Sequence, residues 1–395
     1  MRILLITPIL DPYHLWAGSH RVVYEIAKFL VRRGHSVVIL TSDMMNIRSK
    51  IKQTVGTANP HQCGEIIRSR TLNSKLTELT GMTMSIDTID FLKRELHNFD
   101  VVHAHEYTTF ENIVLHHYAT KYRIPYVLQA HGSIPRLDKE FRKTLYDSFF
   151  GYRILKDASR TIALTKTEEQ QYQSMGVSER NISIVPNGID LSEYANLPPK
   201  GCFKKKYNIS EDRRMILYLG RIHRTKGIDL LARAYAYLFN NMNSKNTVLT
   251  VVGPDDGYLA EMKSLIASLD IQNSVFFTDF ISVKEKMEAF VDADVFVTPS
   301  FNGFPITFLE ACATGTPIVT TTLGDNLNWI DSNVGYVTLP TPLDLAEAIY
   351  RIISDDKLQE KFSKNCLKTV RSQFTLEKIV DKLEKTYGQV IQESL

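Results

Sequence analysis

The chain has 395 residues, 44% of them hydrophobic and 23% charged, with a formal net charge of +3. That length holds two or three ordinary domains, and the composition excludes a collagen-like, disordered or disulfide-dense protein. No stretch reaches the ~18 uninterrupted apolar residues of a membrane span, and the four cysteines, Cys63, Cys202, Cys312 and Cys366, stand at no redox or metal-ligand spacing, as expected for reduced thiols in a cytoplasmic protein.

Ile3-Leu4-Leu5-Ile6 is too short for the core of a secretory signal and is stopped by Pro8, so it reads as a buried strand. Val22, Ile26, Phe29 and Leu30 recur at helical spacing, Gly34 ends that helix, and Ser36–Leu40 is the next strand. Residues 48–85 are polar and irregular and read as a variable loop. The unit then repeats as strand Val101–Ala104, helix Asn112–Tyr122 and strand Tyr126–Gln129. A restart follows Pro186, across a linker near Asn187–Lys206 that contains Pro198-Pro199-Lys200-Gly201. Beyond it come strand Met215–Leu219, helix Ile228–Leu238 and strand Thr247–Val252, then strand Val295–Val297, helix Ile306–Ala313 and strand Pro317–Thr320. The last helix, about Leu376–Gln392, has no strand after it. Short apolar strands alternating with amphipathic helices predict α/β architecture with two doubly wound, Rossmann-like parallel sheets.

Charge is uneven along this plan. Residues 1–190 hold 24 Lys and Arg against 19 Asp and Glu, and the remainder 23 against 25. The imbalance is either noise or the mark of a first half that faces an anionic surface or acceptor. A nucleic-acid partner is not expected at so small a net charge and without a recognition motif. Eleven histidines include no His-x-x-x-His pair on one helix, so no metal site is expected.

Ligands of open α/β sheets bind beyond the carboxyl ends of the strands, so the strand-to-helix turns carry the chemistry. The first turn, Pro8–Ser19, places Gly18-Ser19 just before the helix and lacks the G-x-G-x-x-G fingerprint of a dinucleotide enzyme. Its backbone N–H groups are placed for a phosphate, although glycine before a helix is more often a plain turn. His131-Gly132 follows another strand, where the histidine either reaches into a cleft or is a buried structural group; His103 and His105 are of the same kind. Arg221 and Lys226 stand five positions apart around a turn and either suit a diphosphate, one by paired hydrogen bonds and one as a point charge, or, as is commoner for such a pair in isolation, are two surface cations. In Pro299–Ala311 a strand runs through a Gly/Pro turn into a helix that carries Glu310, an acid in apolar company that needs polar partners such as ribose hydroxyls. The N–H groups at that helix start face anionic oxygens.

At these residues the chain resembles the retaining GT-B glycosyltransferases of group 1, or family 4. Seven motifs stand in that family's order: Gly18-Ser19, Asp100-Val-Val-His-Ala-His105, His131-Gly132, Val185-Pro-Asn-Gly-Ile-Asp190, Gly220-Arg221 with Lys226-Gly227, Val252-Gly253, and Pro299-Ser300 through Glu310-Ala311. The resemblance implies two facing domains with the active site in the cleft between them, 1–190 for the acceptor and 191–375 for the donor, and a closing helix, 376–395, that returns to the first. It implies a UDP- or GDP-sugar as donor substrate, no cofactor, and a saccharide or lipid-linked acceptor. Arg221 and Lys226 would hold the diphosphate, Glu310 the ribose, and Asn302, Gly303, Phe304, Ile306 and Thr307 the phosphate and sugar. Gly18 and Ser19 would approach the phosphates, His131 the transferred sugar, and Asn187 the interdomain floor. Three positions depart from the pattern: Asn302 stands where the family usually has the first of two glutamates, Pro305 where it usually has glycine, which removes an N–H, and Ser19 where the first turn usually has the second of two glycines.

Same-face attack by an acceptor hydroxyl needs no carboxylate pair at glycosidase spacing. Two other readings are kept: a nucleotide-sugar epimerase, for which no ring-proton base is visible, and a non-catalytic sugar-nucleotide-binding protein, suggested by Asn302. The segment Lys139–Lys156 is basic and aromatic, with Phe141, Tyr146, Phe149, Phe150 and Tyr152 among Arg142, Lys143, Arg153 and Lys156. It reads either as a peripheral contact with the cytoplasmic face of an anionic membrane or as a helix that buries its aromatics.

Overall fold

The computed structural model describes residues 1–10, 18–46, 49–50, 60–72, 80, 82–134, 140–242 and 244–394. The chain divides into two compact units, Met1–Gly188 together with Leu376–Leu395, and Ile189–Thr375.

The first unit is built on a parallel seven-stranded sheet: β1 (Arg2–Ile6), β2 (Ser36–Ser42), β3 (Glu65–Ser69), β4 (Val101–His105), β5 (Tyr126–Gln129), β6 (Arg160–Ala163) and β7 (Ile182–Ile184), in spatial order β3-β2-β1-β4-β5-β6-β7. β1 is central, with Ile3 opposite Val37 of β2 and Val101 of β4. Its side chains Ile3 to Ile6 are buried on both faces, which is why the strand reads as an unbroken apolar run. Helix α1 (Gly18–Arg32) buries Val22, Val23, Ile26, Ala27, Phe29 and Leu30. At ~1.5–3 kcal/mol for each large side chain, that face is what holds the helix to the sheet. Helix α2 (Phe110–Tyr122) starts where the Thr109 hydroxyl accepts from the Asn112 N–H, and ends at Arg123 in the left-handed conformation.

Two sequence readings change here. Gly18 and Ser19 are the first residues of α1 rather than the turn before it, and 11–17 of that turn lie outside the described residues. The expected loop at 48–85 contains strand β3, with Ile66 opposite Ile39 and Ile67 opposite Leu40. An edge strand has one neighbour, and two adjacent isoleucines are too short a signal to separate it from a loop. Residues 48, 51–59, 73–79 and 81 of that stretch lie outside the described residues.

The second unit repeats the plan with six parallel strands: β8 (Arg214–Leu219), β9 (Thr247–Val252), β10 (Val275–Thr278), β11 (Val295–Thr298), β12 (Ile318–Thr321) and β13 (Gly335–Thr338), in order β10-β9-β8-β11-β12-β13. Helix α3 (Ile228–Asn241) follows β8, α4 (Val283–Asp292) precedes β11, and α5 (Ile306–Thr314) follows it. Ser282 and Glu285 close a capping box on α4. The core joins Ile216, Tyr218, Leu231, Tyr235, Leu249, Val251, Val297 and Ile349.

The last helix, α6 (Leu376–Ser394), belongs to the first unit. It buries Leu376, Ile379, Val380, Leu383, Tyr387 and Val390. The Arg33 guanidinium, just beyond α1, donates to Asp381 at 2.6 Å and to the Glu377 carbonyl at 2.9 Å. Among the described residues, no helix is long and apolar enough to cross a membrane.

Candidate functional site

Strand order reverses at β8/β11 in the second unit, and a doubly wound sheet opens its ligand crevice at such a point. Leu219 ends β8 and Thr298 ends β11, so the Gly220–Gly227 and Pro299–Pro305 turns rise side by side. Glycines allow close approach on either side of the first of these turns. Gly227 has φ +66°, and a Cβ there would lie 3.1 Å from Pro299 Cβ and 3.4 Å from Ser300 Cβ. Gly253 has φ +140°, and a Cβ would fall 2.1 Å from the Gly220 carbonyl oxygen, a clash that only glycine avoids.

Arg221 is exposed, and its guanidinium pairs with Asp256. Lys226 ends a single 3₁₀ turn and is half-buried. Burial, and then the neighbouring Arg221 charge, push its ammonium below the ordinary lysine range. No acidic group among the described residues pairs with it. A half-buried cation beside a second cation is an arrangement that an anion relieves.

Glu310 lies in α5 with 2% of its side chain exposed, and it does have a protein partner: Lys286 Nζ of α4 donates to its Oε1 at 2.6 Å. The Tyr194 hydroxyl stands 3.5 Å from the same oxygen. Helix α5 starts after Pro305 with no side-chain cap and no acid in its first turn. Asn302 is exposed, Gly303 and Ile306 are buried, and Thr307 is half-buried. The Phe304 side chain packs into an aromatic group with Trp329 and Phe374, ring centroids 5.9 and 5.2 Å away. What Phe304 can offer a ligand is therefore its backbone.

In the first unit the strand order reverses at β1/β4, and a cavity of about 210 Å³ opens there. Pro8, Ile9, His20, Thr83, Glu106 and Ser133 are among its lining. Glu106 follows β4 with φ 68°. Burial pushes its carboxyl up, while hydrogen bonds from Ser19 and Ser133 and the Lys143 charge draw it back. His131 follows β5 with φ 54° and is half-buried, its Nε2 sharing a 2.8 Å hydrogen bond with His105 Nδ1. Ser19 and Glu106 therefore meet at this crevice. No described heavy atom lies within 4 Å of a Cβ built on Gly18. Asn187 is buried apart from them, beside a narrow gap lined by Val22, Ile26, Leu376 and Ile379.

Sequence reasoning did not single out Lys286, Asp256 or Glu106. Glu106 was within reach, since it follows a strand at its carboxyl end. Lys286 carried no local signal, because its partner is 24 positions away on another helix. For the segment before β6, the reading of buried aromatics is corrected: Phe141 is 81% and Phe149 63% exposed, Phe150 and Tyr152 are also exposed, and only Tyr146 is buried. A π-type turn, Asp147–Gly151, changes the helical phase, so one apolar face cannot take them all. Lys139 lies outside the described residues.

Comparison with known proteins places the whole chain. The family model described as glycosyl transferases group 1 matches residues 200–369, and that described as glycosyltransferase family 4 matches 16–193. An uncharacterised glycosyltransferase of Methanocaldococcus jannaschii is 26% identical over 92% of either chain. The UDP-Gal:alpha-D-GlcNAc-diphosphoundecaprenol alpha-1,3-galactosyltransferase of Escherichia coli is 26% identical over 81% of this chain and 83% of its own. Among solved structures, Anabaena HepE in complex with UDP and glucose superposes with a TM-score of 0.78 at 17% identity, covering 98% of this chain and 100% of its own. Sucrose-phosphate synthase of Thermosynechococcus elongatus reaches 0.79 at 21% identity, covering 99% of each. These likenesses place the two units in the GT-B fold class. With both halves matched, the chain belongs to the group 1, family 4 glycosyltransferases and uses a nucleotide-sugar donor.

Proposed function

We propose that the protein is a retaining, metal-independent hexosyltransferase that moves a sugar from a UDP- or GDP-sugar to a hydroxyl of a saccharide or lipid-linked acceptor. The observation that carries this reading is the half-buried Lys226 ammonium, set beside Arg221 without an acidic partner among the described residues. A diphosphate supplies the missing charge. The bond from the anomeric carbon to the diphosphate oxygen breaks, and negative charge grows on that oxygen. Arg221 and Lys226 stabilise it, with the N–H groups at the start of α5. The acceptor oxygen bonds to the anomeric carbon on the face the diphosphate leaves, and its proton passes to the departing phosphate oxygen. Glu310 accepts hydrogen bonds from the ribose hydroxyls, and His131 contacts the transferred sugar. Two fixed cations at the diphosphate take the part a divalent ion would otherwise play.

An undecaprenol-linked acceptor in the Escherichia coli relative supports a lipid-linked class here. The exposed Phe141, Leu145, Phe149, Phe150 and Tyr152 among Arg142, Arg153 and Lys156 support a peripheral contact with the anionic cytoplasmic face of a membrane. The test is a transfer assay with UDP- and GDP-sugars in EDTA, with the anomeric configuration of the product read by NMR. Turnover in EDTA with retained configuration supports the reading, and an inverted product overturns it. Arg221→Ala and Lys226→Ala should each lower turnover about 10²- to 10³-fold, as loss of a transition-state donor does. Near-normal turnover would remove the diphosphate assignment.

A further inference from the structure

Three histidines of the first unit stand in a row inside the fold. The rings of His103 and His105 are 3.9 Å apart, and those of His105 and His131 are stacked at 5.1 Å. His103 Nδ1 shares a 2.7 Å hydrogen bond with the Tyr387 hydroxyl of α6. His105 Nδ1 shares one of 2.8 Å with His131 Nε2. His103 and His105 are 0% and 1% exposed. The Nε2 of His105 is buried and has no hydrogen-bond partner among the described residues.

Burial first, and then repulsion from neighbouring histidines, keep the row uncharged: His103, facing His131, and His131, facing His20, are pushed down to about 3, and His105, facing both His103 and His131, well below the histidine range. Each neutral ring carries one proton, so the His105–His131 bond has two possible senses. If His131 Nε2–H donates, His105 Nδ1 is the acceptor and its own proton sits on Nε2, a buried N–H with nothing to accept it. If His105 Nδ1–H donates, His105 Nε2 is a bare lone pair and the proton of His131 sits on Nδ1. An orphaned buried N–H is the costlier and rarer state.

We infer that His105 is a positioning residue, whose Nδ1–H fixes His131 as the Nδ1–H tautomer. His131 then presents a hydrogen-bond donor, not a base, from the nitrogen that His105 leaves unused. The turn at φ 54° sets where the ring starts, and His105 sets which edge it shows. An N–H suits a sugar hydroxyl oxygen. It also leaves the acceptor's proton to the departing phosphate. The catalytic consequence rests on the proposed contact between His131 and the transferred sugar; the tautomer does not.

The experiment is long-range ¹H–¹⁵N NMR of the full chain labelled with ¹⁵N-histidine at neutral pH. His131→Asn and His105→Asn identify the two rings by their missing signals. The expected spectrum shows His131 with a protonated Nδ1 and a bare Nε2. His105→Phe, which has no donor, should release His131 into a mixture of tautomers and lower turnover ~10- to 100-fold, the loss typical when the partner that orients a functional histidine is removed. Affinity for a nucleoside diphosphate should not change. His105→Asn, whose amide nitrogen overlays Nδ1, should keep the Nδ1–H form and most of the turnover. An Nε2–H tautomer of His131 in the unaltered protein overturns the inference without any variant, as does a tautomer indifferent to His105→Phe. If the tautomer shifts as expected while turnover stays put, the tautomer inference holds and the reading of His131 as a sugar contact falls.

Discussion

Lys286 provides the sharpest test of the proposed donor crevice, because its contact with Glu310 is visible only in three dimensions. Its ammonium lies 2.6 Å from Glu310, with the two side chains 18% and 2% exposed. Lys286→Met keeps the length and removes the charge. Breaking a buried pair costs ~3–5 kcal/mol, and the partial exposure of Lys286 points to the lower end, about 3 kcal/mol. In a unit of this size each kcal/mol moves the midpoint by ~2–4 °C, so the second unit should melt about 6–12 °C earlier. Glu310→Gln in the same chain removes the stranded charge and should restore part of that loss, a coupling that a double-mutant cycle measures. Differential scanning calorimetry follows the unfolding, and titration with UDP and GDP follows the site. Lys286→Met should also weaken the nucleotide, since the carboxylate loses the group that aims it. A midpoint shift under 1 °C, or a double variant no better than the single one, would refute the reasoning.

Asp256→Asn frees Arg221 from an exposed pair worth up to about 1 kcal/mol, so nucleoside diphosphate affinity should rise by up to about fivefold in calorimetric titration; weaker binding would mean that Asp256 helps the site and does not compete with the ligand. Because the Lys226 pKa is lowered, its charged form is lost at a lower pH than that of an ordinary lysine. Diphosphate affinity should therefore fall earlier on the alkaline side than in Lys226→Arg, whose charge persists, and identical profiles would take Lys226 out of the contact. Replacing Phe149 and Phe150 by serine should abolish sedimentation with anionic liposomes while leaving transfer to a soluble acceptor intact; co-sedimentation at the original level would end the membrane reading.

The strands were the legible part of the fold. Ile3–Ile6 and Thr247–Val252 are buried on both faces, and burial on both faces leaves an apolar run that composition alone reveals. β3 was missed for the opposite reason, as Glu65 is exposed and only two isoleucines mark the strand. In the second unit's crevice, Arg221, Lys226 and Glu310 could be singled out from sequence because they sit at strand ends or just inside the following helix. Strand order, which is not written locally, was needed to see that the Lys226 and Pro299 turns are neighbours. The chemistry that stayed hidden is relational: Lys286 acts at 24 positions' distance, and His103 meets Tyr387 across 284. The exposed aromatics Phe141 and Phe149 mislead a sequence reader who assumes that aromatic means buried.

The last helix has a consequence for how the molecule is made. Tyr387, Leu383 and Ile379 fill the first unit, yet on the ribosome they emerge only after the whole of Ile189–Thr375. A nascent chain therefore exposes a raw apolar seat beside α1 throughout the synthesis of the second unit. Its first half cannot finish folding where it begins. The N-terminal fold is completed only after the second unit has been made, and a message cut short before Leu376 leaves the first unit without the helix that fills its seat.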